Sequence, residues 1–381
     1  MAIQYPFFRT APIMKVAGEP PVEWVDPSSG HRVVRLTQEP GSQSLYFHQN
    51  AFPGSDSTTV FQGPRGLCTV NIRTREVELR AHGEVSHVVA AKRSHRVYFL
   101  EGNTLYEAHV DRKENRAVAN LPAEWTWGAG LTLNADETLL AGTTTENGRW
   151  YTEAMPRSRW FSALFEAHLP TLIYTVNIKT GEIRVVLRGK DWFNHIQFSP
   201  TDPGLVLYCH EGPWHKVDRI WTVRIDGSGL RIVHERTMAM EIVGHEFWNP
   251  DGRIIWYDQQ TPKGKEFWLG GTVLATGEKL RYRLNRDRWS VHYNVSWDGK
   301  LFAGDGSSHR MVAKAKDGKW IYLYHPQGGE LKWKRLVNMA NHDYGLEPNV
   351  MFTPDGQWVV FRSNMHGKVH AYAVEVFYNE A

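Results

Sequence analysis

Phe247-Trp248-Asn249-Pro250-Asp251-Gly252-Arg253-Ile254-Ile255-Trp256-Tyr257 runs from apolar residues through a Pro-Asp-Gly turn into a second apolar run. The flanks are aromatic and β-branched, types that favour strands, and Asp-Gly supplies the turn between them. Comparable turns stand at Pro53-Gly54-Ser55-Asp56, Lys92-Arg93-Ser94, Asn134-Ala135-Asp136, Pro200-Thr201-Asp202, Trp297-Asp298-Gly299 and Pro354-Asp355-Gly356. Successive turns are 39, 42, 66, 50, 47 and 57 residues apart. A further hairpin follows the second strand, as at Ile173–Val186 around Thr180-Gly181, at Ile220–Gly229, and around Thr276-Gly277. Four strands per unit at this period mark a β-propeller blade. The pattern predicts an all-β, seven-bladed propeller forming one domain over residues 1–381. The last strand, His370–Phe377, has no hairpin partner after it, and His31–Leu36 is expected to pair with it and close the ring. The 66-residue interval holds the helical pattern Ser158–His168, an insertion around 146–170.

Composition narrows the function. Apolar types make 41% and charged types 22% of the 381 residues, the balance of a globular chain. No run of about 18 apolar residues occurs, so no spanning helix is expected. The N-terminal stretch lacks the layout of a signal peptide, which predicts a cytoplasmic protein. Two cysteines cannot build a disulfide framework or a cysteine zinc site. A net charge of +3 is no nucleic-acid footprint. Phosphate-loop, zinc-protease and nucleophile-elbow motifs are missing.

Eighteen histidines stand out, and they fall in register. Counting back five residues from each turn, and four from Asn134, gives His48, His87, Gly130, His195, His245, His292 and Asn349. Random placement would put about 0.3 histidines at seven positions, and five are there. In a propeller the first strand of each blade lines the central channel, so this register predicts a ring of imidazoles at one mouth. A lone histidine is more often a satisfied structural group. Five converging imidazoles instead disfavour one another's charge, and some stay neutral as bases or metal ligands. Loops after the second strands open on the same face and carry His210-Glu211-Gly212-Pro213, Asp258-Gln259-Gln260, Asp305–His309 and Arg362–His366. Arg219 begins the next strand. Trp127, Trp214, Trp248 and Tyr293 lie near enough to stack on sugar rings, although packing between blades is the commoner use of such residues.

The segments Cys209-His210-Glu211-Gly212-Pro213, Val217-Asp218-Arg219-Ile220-Trp221 and His245–Gly252 resemble the oligogalacturonate lyase family. The resemblance continues through His292, Phe302–Gly306 and Phe352-Thr353-Pro354-Asp355. These are β-propeller enzymes that release unsaturated uronate units from pectin oligosaccharides by β-elimination. The resemblance implies that His245 is the general base, that Arg219 is the catalytic arginine, and that His292 is a ligand of a divalent metal, Mn2+ in that family. Two further family ligands form a His-x-His pair, and Glu347 and Asn349 stand in those places. A carboxylate and an amide oxygen still suit Mn2+, Ca2+ or Mg2+. His48, His87, His195, His210, Glu211, Trp214 and Arg362 are expected to bind an acidic oligosaccharide. Neither nucleic acid nor membrane is an expected partner, and the oligomeric state is not set by the sequence. Two other readings stand beside this one. One is a non-catalytic propeller binding sugar or protein; the other is a glycoside hydrolase using carboxylates such as Glu211, Glu246 and Glu347.

Overall fold

The computed structural model describes residues 19–128, 130–146 and 157–376. Its architecture is all-β and propeller-like, with one α-helix, Arg157–Ala167, among the described residues. The helix lies where the insertion was expected; residues 147–156 of that insertion lie outside the described residues.

Each turn does join two antiparallel strands. Ile242–Trp248 pairs with Ile254–Gln260, which pairs with Phe267–Val273, and that strand with Lys279–Leu284. The order in space follows the order in sequence because every connection is a hairpin. The same four-strand succession occurs in the sheets beginning at Gln43, Ser86 and Trp192. In the sheet that continues through Leu139–Glu146, Thr171–Asn177 and Ile183–Gly189, both Trp125–Trp127 and Leu131–Leu133 pair with the Leu139 strand. The Ile242 sheet is joined to Tyr293–Val295, Phe302–Gly304, Trp320–Gln327 and Glu330–Asn338 by a single parallel pair, Arg283 with Glu330. In the last sheet Arg32–Arg35 lies antiparallel to His370–Glu375, with Val33 opposite Val374. The N-terminal strand thus completes a sheet that the C-terminal strands begin.

Between neighbouring sheets the apolar faces interlock. Trp256 meets Phe302 edge to face at 5.1 Å, and its indole N–H donates to Asn249 Oδ1 at 3.1 Å. Burying each such large side chain is worth about 1.5–3 kcal/mol. Trp248 and Tyr293, offered above as sugar platforms, are buried in this packing. They are core. The side chain of Trp127 lies outside the described residues. Among the described residues no helix is long and apolar enough to cross a membrane.

Candidate active site at the inner strand ends

Five of the seven register positions share a backbone feature, which His48 and His292 lack. His87, His195, His245 and Asn349 have φ of 50°, 47°, 49° and 54°, and Gly130 has 78°. Pairing slips beside three of them, between Ser86 and Val89, Asn194 and Gln197, and Gly244 and Phe247. A left-handed residue at a bulge turns its side chain out of the strand's alternation. Glycine, asparagine and histidine tolerate that backbone better than β-branched types do. Within Ile242–Trp248, His245 is the one residue that is not fully buried.

Four of the five predicted histidines come together. Ring centroids of His245 and His292 are 4.4 Å apart, those of His195 and His245 6.2 Å, and those of His48 and His195 5.5 Å. Tyr46, which the sequence reading missed, stands among them at 5.0 Å from His48, 5.5 Å from His195 and 5.3 Å from His292. Its hydroxyl is 3.3 Å from His292 Nε2. His87 stays apart: its Nδ1 accepts the Gly130 N–H at 3.1 Å. Gly130 offers no side chain to carry the ring onward, so the cluster has four members.

Arg219 is wholly buried. Its guanidinium is ion-paired with Glu211, stands 4.3 Å over the Trp214 ring, and has Nη2 3.9 Å from Glu246. Nε and Nη2 make no hydrogen bond among the described residues. Glu211 also accepts from Trp214 Nε1 at 3.0 Å and from the Gly212 amide. Glu211 was expected to touch substrate; its carboxylate is instead committed to Arg219 and Trp214. Trp214 lies 5.0 Å from His245, against a backbone that only glycine permits. A Cβ at Gly244 would meet its ring at 2.6 Å.

Glu246 links the halves. It is fully buried, with Oε1 3.1 Å from His195 Nδ1 and Oε2 facing Arg219. Burial opposes its charge, but His195 and Arg219 outweigh burial and hold its carboxyl at about 2. A carboxylate held ionised has no proton to give a leaving group, which argues against the hydrolase reading for this residue. His245 is pulled well below its ordinary value by burial, then by His292, His195 and Arg219. It is a neutral imidazole at neutral pH. His48 falls to about 3, first through burial and then through His195.

His292 differs. Burial works against its charge, yet Asp305 at 2.7 Å from Nδ1 and Glu347 at 3.9 Å from Nε2 raise it. Asp305 also accepts the His292 backbone N–H. Of the predicted metal ligands, His292 and Glu347 face each other. The Asn349 amide is engaged elsewhere, its Oδ1 accepting from Phe47 N–H and its Nδ2 donating to the Glu347 carbonyl. Arg362 donates to the Glu347 carbonyl and to Gln43. His210 sits outside the cluster, 3.4 Å from Asp191 and stacked on Phe165 of the helix.

Asp258 is strand, not loop, and fully buried opposite Gly244. Oδ1 accepts from Trp289 Nε1 at 2.5 Å, while Oδ2 makes no hydrogen bond among the described residues. Burial pushes the carboxyl up to about 7 against the pull of Trp289. Its folded form therefore keeps a proton that the unfolded chain releases near pH ~4. The resulting stability is complete below pH ~4 and is lost as pH rises through about 7. Against Asp258→Asn, the wild type should lose up to about 4 kcal/mol between pH ~4 and ~8 in urea titrations. Parallel stability curves would contradict this assignment.

An all-β, propeller-like scaffold thus gathers neutral imidazoles, a buried arginine and carboxylates at its strand ends, the groups that acid–base chemistry on an anionic ligand needs. Residues 22–379 match the oligogalacturonate lyase family, and the chain belongs to that family. It is an oligosaccharide lyase. The oligogalacturonide lyase of Pectobacterium atrosepticum is 24% identical over 379 residues, covering 92% of this chain and 95% of that one. The oligogalacturonate lyase of Dickeya dadantii gives the same identity and coverage. Among solved structures, an oligogalacturonate lyase in complex with manganese has a TM-score of 0.80 at 24% identity, covering 93% of this chain and 96% of that one. The oligogalacturonate lyase of Vibrio parahaemolyticus has a TM-score of 0.83 at 22% identity with the same coverage.

Proposed function

We propose that this chain cleaves short oligogalacturonates by β-elimination at the mouth of a seven-bladed, single-domain ring. Counting the eight-stranded sheet as two supports seven blades, and the Val33–Val374 pairing supports closure by the termini. The observation that carries the reaction is the neutral, partly exposed His245 beside Trp214 and the buried Arg219. The His245 imidazole takes the proton from C5 of the uronate. The electron pair left behind forms the C4–C5 double bond as the C4–O bond breaks, and the leaving oxygen is protonated in turn. Arg219 supplies positive charge where the C5 carboxylate becomes enolate-like. Glu211 and Glu246 keep that guanidinium in place and ionised. Tyr46 and His48 border the sugar. A cytoplasmic location remains part of the proposal.

The donor chemistry fits a divalent cation, Mn2+ first. His292 Nδ1 is fixed by Asp305, the usual way of orienting an imidazole ligand, and its Nε2 faces the Glu347 carboxylate. His292 and Glu347 would hold the ion, which when bound would add positive charge beside the substrate carboxylate. The manganese complex of the structural neighbour supports that choice. Among the described residues no group of three or more His, Cys, Asp and Glu is arranged to hold a metal ion by itself, so substrate oxygens and water are expected to complete the shell.

The test is a panel of uronate oligosaccharides read by ultraviolet absorbance of the unsaturated product, before and after chelation. Galacturonate oligomers should give the product, and chelation should lower its rate with recovery on adding Mn2+. Silence on all uronates would overturn the reading; full activity in metal-free protein would overturn the cation alone.

A further inference from the structure

Charge is unevenly spread along this chain. Residues 261–338 hold 15 Lys and Arg against 7 Asp and Glu, whereas the other residues hold 29 against 34. Much of the excess lies on three segments at one end of their sheets. Residues 261–266 follow Gln260, which pairs with Ile242 at the start of the inner strand. Residues 285–291 lead from Leu284 to His292, and residues 305–319 begin with Asp305, the partner of His292. All three therefore open at the His245–His292 mouth.

They are stitched together. Arg286 donates to the Gly264 carbonyl at 2.7 Å and to that of Ala313, and the Lys316 amide donates to Asp287 at 2.7 Å. The nearby carboxylates are spent: Glu266 on Arg283, Asp317 on Arg288 and Arg335. Lys263, Lys265, Arg310, Lys314 and Lys316 are exposed and form no ion pair among the described residues. Five cations on a built rim, beside a site for an anionic sugar, leave a positive surface without its counter-charge.

We propose that this rim holds the carboxylates of uronate units beyond the bond being cleaved, so that longer oligo-uronates bind through it and a disaccharide does not reach it. The inference rests on the lyase reading above. Exposed charges of this kind act through space, raise the local concentration of an anionic chain, and weaken as salt screens them. A disaccharide occupies the imidazole mouth and gains little.

The test compares a disaccharide with a hexasaccharide of galacturonate, using wild type and a Lys263→Glu, Lys265→Glu, Lys316→Glu variant. The variant should raise KM for the hexasaccharide roughly tenfold and leave disaccharide kinetics within about twofold. In the wild type, added salt should raise KM for the hexasaccharide more than for the disaccharide, a readout that needs no variant. Equal shifts for both substrates, or none, would overturn the rim. Product from neither substrate in the wild type would overturn the lyase reading itself, a different failure from the first.

Discussion

His245→Ala is expected to lower kcat on oligogalacturonate by about 10²–10⁴, the range a positioned general base supplies. The fold should persist, because His245 is not fully buried and its Nδ1 makes no hydrogen bond among the described residues that the variant would lose. KM should change little, since the sugar is held mainly by charge elsewhere. The imidazole sits far below its ordinary value, so wild-type turnover should not fall away through protonation of His245 at mildly acidic pH. Steady-state kinetics with a circular dichroism check on the variant decide the matter. Near-wild-type turnover would remove His245 from the chemistry.

Arg219 carries the other large effect, and two substitutions separate its roles. Arg219→Ala leaves Glu211 and Glu246 buried without their cation, a loss of about 3–5 kcal/mol for breaking a buried pair. Arg219→Lys keeps the charge and should keep most of the stability. It loses the planar fork that meets a carboxylate on one side and Trp214 on the other. For the lysine variant kcat should fall by about 10²–10³, the scale of one lost transition-state donor. Thermal denaturation and kinetics measured together give both answers. Full activity in the lysine variant would make Arg219 a structural residue.

The strand pattern was readable because turn chemistry and apolar alternation are local properties. Pro250-Asp251-Gly252 announces its hairpin without help from the rest of the chain, and Ile254–Gln260 follows it as expected. The pairing of Arg32–Arg35 with His370–Glu375 was readable for a different reason, since an unpartnered last strand needs a partner and His31–Leu36 was available. Site geometry was less legible. Counting along strands found the register of His195, His245 and His292 but not the left-handed backbone that turns His195 and His245 out of their strands and recurs at Gly130 and Asn349. It could not see from one sheet to another, so it kept His87 and missed Tyr46. Glu211 was picked out from its place in the His-Glu-Gly-Pro segment, which does not show that it is buried and ion-paired with Arg219. Glu246 had a visible signal, its place next to His245, yet its link to His195 crosses two sheets.

Elimination and hydrolysis differ by one water, and product mass distinguishes them most directly. Cleavage of a galacturonate trisaccharide by wild-type protein, followed by mass spectrometry, should give fragments whose masses sum to that of the substrate, one with an unsaturated non-reducing end. Fragments that together have gained one water would mean hydrolysis, and would contradict the roles given to His245 and Arg219.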